Sequence, residues 1–387
     1  MSGVLLRLVC SAAVAAGTVL APMPAAAAPE PPAAGEHSAA RLLTELQRLY
    51  RQAEKATEAY NATEERLTKQ RALAKRLEGA LARTRHSLHD SRSAAGRLAR
   101  QQYQSRSDLS PYLRLLLARD ARGVLDQGQV IGQLARQRAR TVGRLTGDAQ
   151  KATELARKAR KALDAQRALA ERRRKQRDEV RERLREVEEL IASLSPEEVA
   201  ALDELERAEA DAEQQRLVTS GALPAMGAAS APTAAGARAV NYAVQQVGKP
   251  YEWGAEGPAT YDCSGLTSQA WDAAGTPVPR TSQEQWARLK RIPLKQLRPG
   301  DLVVYFPDAT HVALYLGDGK VIQAPRPGAR IKVSPVAAPG PVLGAVRPDP
   351  SGKPLRHYEP PELPEGATLG PDTGPSYAPA ASATSLR

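Results

Sequence analysis

The chain has 387 residues, of which 42% are hydrophobic and 4% aromatic, and its formal net charge is +12. The length suggests two or three domains. A positive balance of this size suits nucleic acid, an anionic lipid surface or an anionic wall polymer. Because basic and acidic residues alternate along most of the chain, we interpret the charge first as a solvated helical surface, and we expect no nucleic-acid partner.

The N-terminal 28 residues have the features of a secretory signal peptide. Arg7 supplies the positive start, residues 8–20 the apolar stretch, and residues 25–28 the small side chains of a cleavage site. No later stretch approaches the roughly 18 uninterrupted apolar residues of a membrane span. We therefore expect a secreted, cell wall-associated protein.

Residues 38–216 are predicted to form a long all-α coiled-coil region. Apolar side chains recur at alternating spacings of four and three from Leu42 to Leu98, and a second series runs from Leu134 to Leu194. The segment 105–129 interrupts the pattern and is predicted to be a tip. Two such helices joined by a tip most simply form an antiparallel coiled coil, and a parallel coil between two chains is the alternative.

Three further segments have simpler interpretations. A short helix is predicted to begin at Pro196, with Ser195 as its N-cap. The apolar tip either docks a partner or caps the hairpin. Residues 217–236 are rich in Ala, Pro, Gly and Ser and are predicted to be a flexible linker. The Pro-rich tail, residues 349–387, is predicted to be disordered.

Residues 237–348 are predicted to form a compact α+β domain. All three tryptophans and the single phenylalanine of the chain lie in this segment. Helices come first and an antiparallel sheet follows, which is typical of an α+β fold. The predicted helices cover 238–247 and 263–274, and the predicted strands cover 301–306, 311–316, 320–324 and 330–334.

Cys263 is the most informative residue of this domain. The only other cysteine, Cys10, lies in the predicted signal peptide, so the mature protein has one unpaired thiol. The first turn of a helix stabilises a thiolate, which predicts a lowered thiol pKa and a nucleophile. Asp262 either caps this helix or holds substrate. The alternative for Cys263 is a buried thiol that packs as a small apolar side chain.

A thiolate nucleophile needs a base and a group that orients the base. Of the five histidines, His311 alone lies within the compact domain, at the start of a predicted strand. A three-residue hairpin loop with a bulge would pair Leu316 with Lys320 and place Gln323 on the His311 face of the sheet. The alternative for His311 is a strand-end histidine without a catalytic role.

Five motifs of residues 238–348 resemble the NlpC/P60 family of papain-like cysteine peptidases, which cleave the peptide stems of bacterial peptidoglycan. The resemblance implies that Cys263 is the nucleophile, His311 the base and Gln323 the third polar residue. The matching motifs are Pro250-Tyr251-Glu252-Trp253-Gly254, Asp262-Cys263-Ser264-Gly265-Leu266, Pro279-Arg280-Thr281-Ser282, Pro299-Gly300-Asp301-Leu302 and His311-Val312-Ala313-Leu314-Tyr315-Leu316-Gly317.

The same resemblance implies where substrate binds. Tyr251, Asp262 and Ser264 lie where family members hold the amino end of the substrate, and Arg280 and Ser282 line the cleft. A structural role is the alternative for two of them, since Arg280 can fix a loop and Tyr251 can belong to the core.

The function that the resemblance implies is a secreted hydrolase that cleaves the D-glutamyl-diaminopimelate bond of peptidoglycan without a metal or cofactor. The coiled coil would regulate or dock the enzyme, with a membrane division-complex partner engaging it. One alternative is a non-catalytic coiled-coil scaffold that binds cell wall. Another is a thiol acyltransferase or amidase of related fold.

Overall fold

The computed structural model describes residues 34–104, 121–224 and 231–369. The predicted signal peptide, most of the predicted tip and the end of the tail lie outside these residues. None of the described helices combines the length and the apolar content needed to cross a bilayer.

Two long helices form the N-terminal part. Helix α1 (Ala34–Gln104) and helix α2 (Ala121–Ala192) run antiparallel. Two contacts fix the direction, since the Gln70 amide donates to the carbonyl of Ala162 at 2.9 Å and the Ser87 hydroxyl donates to Asp148 at 2.8 Å. The predicted antiparallel pair is therefore confirmed. The buried members of the predicted α1 seam include Leu46, Leu49, Ala53, Ala56, Leu67, Ala74, Leu81 and Leu88.

Helix α3 (Pro196–Thr219) begins with a capping box in which Ser195 and Glu198 satisfy each other's backbone N–H groups. This start agrees with the prediction. Near the end of α3, Gln214 donates to the carbonyl of Gly319 at 3.1 Å and accepts from the N–H of Ala337 at 3.1 Å. Helix α3 is thus bonded to the C-terminal domain, and the predicted linker 217–236 is partly ordered at both ends.

The C-terminal domain has three helices and a six-stranded antiparallel sheet of order β1-β6-β2-β3-β4-β5. The predicted papain-like α+β fold is confirmed, although α6, β1 and β6 were not predicted. The helices are α4 (Ala234–Val244), α5 (Cys263–Ala273) and α6 (Ser282–Arg288). The strands are β1 (Lys290–Ile292), β2 (Leu302–Tyr305), β3 (His311–Gly317), β4 (Lys320–Gln323), β5 (Lys332–Pro335) and β6 (Val342–Arg347).

Both faces of this sheet are buried. One face packs on α4 and α5 through residues such as Leu314 and Ile322. The opposite face contributes Tyr315 and Val321 to a second cluster that includes Leu223 from the segment after α3. The His311 side of the sheet is therefore covered as well.

The β3–β4 hairpin differs from the prediction at its end. Asp318 and Gly319 form a two-residue loop with φ values of 47° and 69°, and Gly317 lies opposite Lys320. The predicted Leu316–Lys320 pair is wrong, because a two-residue turn of this type closes the strands and Leu316 is accommodated in a bulge. The bulge adds one residue to β3, so the rest of the hairpin keeps the expected pairing.

The first part of the tail packs against the domain. The N–H of Leu355 donates to the carbonyl of Pro232 at 2.8 Å, and the N–H of Val333 donates to the carbonyl of Ala367 at 2.7 Å. The Ala367 side chain is buried in the core. The expectation of disorder therefore does not hold for residues 349–369, whose backbone groups find partners on the domain, and residues 370–387 lie outside the described chain.

Candidate active site

Cys263 occupies the first position of α5, as the sequence predicts. Asp262 is the N-cap, and its side chain accepts from the N–H of Gly265 at 2.6 Å. A side chain at Gly265 would meet the carbonyl oxygen of Ala255 at 2.2 Å, so only glycine allows this helix start to approach the preceding loop. The Cys263 thiol is thereby held at a fixed helix terminus, and its side chain is 4% exposed.

His311 and Gln323 meet on adjacent strands of the sheet. The Gln323 Oε1 atom lies 2.9 Å from His311 Nε2, and the Gln323 amide group donates to the Ser334 hydroxyl at 3.0 Å. Because the amide nitrogen is directed at Ser334, the oxygen faces the ring and favours the tautomer with hydrogen on Nε2. The Nδ1 atom is then left for proton exchange.

A stripe of α1 side chains lies across this site. We call Tyr50, Glu54, Glu58 and Asn61 the α1 stripe, because their spacing places them on one side of the helix. Glu54 Oε1 lies 3.1 Å from His311 Nδ1. The stripe was not predicted, because its polar positions lie beside the apolar seam that indicates the helix pair and carry no apolar periodicity of their own.

Glu58 makes the densest set of contacts. Its Oε1 atom accepts from the Ser264 hydroxyl at 2.7 Å, and its Oε2 atom accepts from the N–H of Ser282 at 3.1 Å. The Cys263 sulfur lies 3.9 Å from the same Oε1 atom. Glu54 and Glu58 are one helical turn apart, so the thiol and the imidazole face neighbouring positions of one helix.

The two end residues of the α1 stripe, Asn61 and Tyr50, also contact the C-terminal domain. The Asn61 amide donates to Asp262 at 2.9 Å. At the other end, the Arg326 guanidinium lies 4.7 Å from the ring centre of Tyr50. Helix α1 therefore covers the cleft from Asp262 to the end of β4.

The predicted substrate-binding residues cluster around Asp262. Arg280 bonds to the Asp262 carboxylate at 2.8 Å and donates to the Ser264 hydroxyl at 2.8 Å, while its Nε atom contacts Glu256. Tyr251 is 8% exposed and belongs to the core cluster of the domain. Arg280 thus contacts the polar side chains of the cleft, whereas Tyr251 packs in the core of the domain.

Burial and the α1 carboxylates raise the pKa of the Cys263 thiol well above its ordinary value. The nearest charges responsible are those of Glu58 and Asp262. The sequence predicted a lowered pKa, which is wrong for this arrangement because the helix terminus is desolvated and faces acidic side chains. A protonated, covered thiol is a poor nucleophile.

The pKa values of the neighbouring groups shift in the same setting. Burial alone would lower the pKa of His311, but the charge of Glu54 and its contacts with Glu54 and Gln323 raise it above its ordinary value. Burial and the Asp262 carboxylate raise the pKa of Glu58 to about 8. Protonation of Glu58 and of His311 therefore favours the arrangement in which α1 covers the cleft.

A cavity of about 800 Å³ opens beside the covered site, between α1, α3 and the strand ends. His311 and Gln323 form part of its wall, whereas Cys263 does not. The cavity therefore reaches the His311–Gln323 pair but not the thiol. Among the described residues, no group of three or more His, Cys, Asp or Glu side chains is placed to hold a metal ion.

The comparison with protein families identifies the C-terminal domain. Residues 248–341 match the model described as NlpC/P60 family. Residues 248–341 form an NlpC/P60 domain. The antiparallel sheet with Cys263 at a helix start and His311 at a strand start lies within or beside this stretch, and several relatives of this domain are named endopeptidases.

Curated relatives match a part of this chain that is about as long as the C-terminal domain. A probable endopeptidase of Corynebacterium glutamicum is 46% identical over 102 residues, which is 26% of this chain and 48% of the relative. Peptidoglycan endopeptidase RipA of Mycolicibacterium smegmatis is 36% identical over 140 residues, which is 32% of this chain and 27% of that protein. The match to this chain thus spans about half or less of the length of each of these relatives.

RipD of Mycobacterium tuberculosis is a solved structure to which this chain is similar, and it is described as a non-catalytic NlpC/p60 domain protein adapted to peptidoglycan binding. It has 31% sequence identity and a TM-score of 0.27, and the match covers 29% of this chain and 96% of that chain.

Proposed function

We propose that this protein is a secreted, cell wall-associated cysteine endopeptidase that cleaves the D-glutamyl-diaminopimelate bond of peptidoglycan stem peptides. The observation that carries the proposal is the pairing of Cys263 at the α5 terminus with a His311–Gln323 pair, both facing adjacent positions of α1. In this proposal residues 1–28 direct export, residues 38–216 form a regulatory arm, and residues 237–348 form the enzyme.

The reaction assigns a role to each member of this trio. His311 Nδ1 takes the proton of the Cys263 thiol, and the sulfur attacks the γ-carbonyl carbon of the D-glutamyl residue. The backbone N–H of Cys263 stabilises the resulting oxyanion. His311 then donates its proton to the departing amine, which leaves a thioester. Water, deprotonated by His311, hydrolyses the thioester and restores the thiol.

Gln323 acts in this scheme as a neutral orienting group. Its amide oxygen holds His311 Nε2 at 2.9 Å, which leaves Nδ1 to exchange the proton with the thiol in this scheme. A neutral amide stabilises an imidazolium less than a carboxylate would, which keeps the proton easier to release to the leaving amine.

The contacts of Glu58 support the proposed substrate-binding residues. The Ser264 hydroxyl and the Ser282 N–H already accommodate one carboxylate beside Cys263. We expect the same donors to hold the free carboxylate of the D-glutamyl residue after α1 has moved away. Asp262, supported by Arg280 and near Tyr251, would hold the amino end of the stem.

We further propose that α1 keeps the enzyme inactive. Glu58 fills the space beside the thiol, Glu54 contacts the imidazole nitrogen that must exchange protons, and Asn61 bonds to the carboxylate of Asp262. Substrate requires the same donors and acceptors, so docking of α1 and binding of substrate exclude each other. Activation then requires that α1 leave the cleft, and a membrane division-complex partner that binds the regulatory arm would displace it.

The pKa values give the sign of the pH dependence of docking. The pKa of Glu58 is about 8 when α1 is docked and about 4.5 when the side chain is solvated. Docking is therefore most favourable below pH 4.5 and weakens until about pH 8. The raised pKa of His311 acts in the same direction above pH 6.5.

The experiment that tests catalysis uses the full chain on purified cell wall. We expect slow release of soluble peptides with new free amino groups, and loss of this release in Cys263→Ala and His311→Ala. An unreacted wall with wild type and with an α1-stripe variant would contradict the proposal. If Cys263→Ala binds wall and complements a deletion strain as well as wild type does, the protein is a non-catalytic scaffold.

A further inference from the structure

The outer part of the arm carries a dense positive charge that the proposed peptidase does not use. We define the cationic segment as residues 71–100 of α1 and 136–167 of α2. These two stretches lie side by side, because Gln70 bonds to the backbone of Ala162 and Ser87 to Asp148. They contain 18 lysines and arginines against five aspartates and glutamates, and each of the 18 is exposed.

These cations are largely without acidic partners within the described chain. In the cationic segment, Lys158 alone forms an ion pair, with Glu154 at 2.6 Å. Nearer the domain the arrangement is different, since Arg173 pairs with Glu64 at 3.0 Å and Arg183 with Glu186 at 3.0 Å. The charge of the inner arm is thus balanced by the protein itself, whereas the outer arm presents a net charge of +13 over about 45 Å.

We propose that the cationic segment is a docking surface for a flexible, phosphodiester-bearing polymer of the cell wall. Neighbouring cations lie within a Debye length of about 10 Å, so they act together on a polyanion. Fourteen of the 18 cations are arginines. The planar guanidinium group matches phosphate with two parallel hydrogen bonds, which favours phosphate over other anions. The wall as the source of the polymer rests on the proposed function.

The distribution of charge favours a polymer over a bilayer. Side chains two apart on a helix point to opposite sides, and Arg83 with Arg85, and Arg136 with Arg138, are spaced in this way. The cations therefore surround the outer arm. A helix that lies on a membrane needs one continuous apolar face, but Leu81 and Leu88 are buried in the helix pair, and Leu73 and Val142 are the only large apolar side chains exposed in the cationic segment. A flexible chain can follow a rod that is charged on several sides.

The test measures binding of the full chain carrying Cys263→Ala, so that no wall is degraded during the measurement. The probes are purified cell wall with its phosphate polymers and the same wall after cold hydrofluoric acid has cleaved the phosphodiesters. We expect at least tenfold weaker binding to the stripped wall. We also expect binding to the intact wall to weaken at least tenfold between about 50 and about 200 mM salt, because counterions are released on binding.

A charge-neutral variant and a charge-conserving variant separate charge from shape. Six exposed arginines are changed together to Gln in one variant and to Lys in the matched control. We expect at least tenfold weaker wall binding for the Gln variant, and an affinity of the Lys variant between those of the parent and the Gln variant, since Coulombic attraction is retained but the paired guanidinium hydrogen bonds are lost. The six positions are Arg83, Arg85, Arg92, Arg140, Arg144 and Arg157.

Three outcomes would overturn the inference. They are equal binding to intact and stripped wall, an unchanged affinity of the Gln variant, and tighter binding to vesicles of mixed neutral and anionic phospholipid than to intact wall. Circular dichroism of each variant shows whether the arm remains helical. Because none of these measurements requires hydrolysis, failure of the proposed peptidase activity would leave their result intact.

Discussion

Substitution of Glu58 tests the proposal that α1 blocks the cleft. Glu58→Ala removes the acceptor of the Ser264 hydroxyl at 2.7 Å and of the Ser282 N–H at 3.1 Å. Two hydrogen bonds at about 1 kcal/mol each give about 2 kcal/mol of lost docking free energy. Since about 1.4 kcal/mol corresponds to a factor of ten, the ratio of open to docked protein should rise roughly 30-fold.

Two assays report this ratio independently. Peptide release from purified wall by the full chain should rise up to roughly 30-fold, until the open form dominates. Alkylation of Cys263 by iodoacetamide should accelerate by the same factor, because the thiol is 4% exposed when α1 is docked. The alkylation assay remains informative even if substrate binding is altered, since it needs no substrate.

Glu78→Ala is the matched control for this substitution. Glu78 is exposed on the same helix, beyond the part that contacts the domain. We expect it to leave both rates unchanged. Equal rates for wild type and Glu58→Ala in both assays would refute the reasoning, and so would an equal increase in the Glu78→Ala control, which would indicate a general loosening of the arm.

Three further predictions concern pH, the orienting group and stability. The activity of the wild type should rise relative to that of Glu58→Gln between pH 5 and pH 8, because docking of α1 weakens as Glu58 loses its proton. A constant ratio of the two activities, in buffers of equal ionic strength, would contradict the assigned pKa of Glu58. In the Glu58→Ala background, Gln323→Ala should lower kcat/KM roughly 10–100-fold, whereas Gln323→Glu should retain more activity and shift the pH profile of activity upward. If neither substitution lowers kcat/KM, Gln323 has no part in the mechanism. Trp271→Ala should lower the free energy of unfolding of the C-terminal domain by about 3–5 kcal/mol, because the indole is fully buried and donates to the carbonyl of Gly300 at 3.0 Å. Urea unfolding followed by circular dichroism measures this change, and a loss under about 1 kcal/mol would show that the site repacks.

The features that the sequence could predict are those with a local or periodic signal. The apolar seam from Leu42 to Leu98 specified the helix pair, and Asp262 before Cys263 specified the start of α5. The β3–β4 pairing followed from alternation, since the bulge at Leu316 compensates for the shorter turn at Asp318 and Gly319.

The α1 stripe could not be predicted in the same way. Glu54, Glu58 and Asn61 resemble ordinary solvent-facing residues of a charged helix, and their partners lie about 200 to 260 positions later in the chain. A weak signal exists in the spacing of Tyr50, Glu54, Glu58 and Asn61, which forms a second stripe beside the apolar seam. The raised pKa of the thiol was missed for the same reason, since it depends on side chains from that stripe.

The packed part of the tail was also beyond sequence reasoning. Residues 349–369 have no apolar periodicity, and their contacts include backbone hydrogen bonds to Pro232 and Val333, the ion pair of Asp349 with Arg298 at 2.9 Å and the buried side chain of Ala367. Backbone groups are present at every residue, and one acidic side chain forms no pattern, so composition cannot reveal these contacts.

Mass spectrometry of digested peptidoglycan tests the central claim most directly. Purified wall is incubated with the full chain carrying Glu58→Ala, and in parallel with the same chain that also carries Cys263→Ala. The account predicts fragments that end in D-glutamate and fragments that begin with the diamino acid, from the first protein alone. Fragments cut at another bond, transfer products without cleavage, or identical spectra from the two proteins would contradict it.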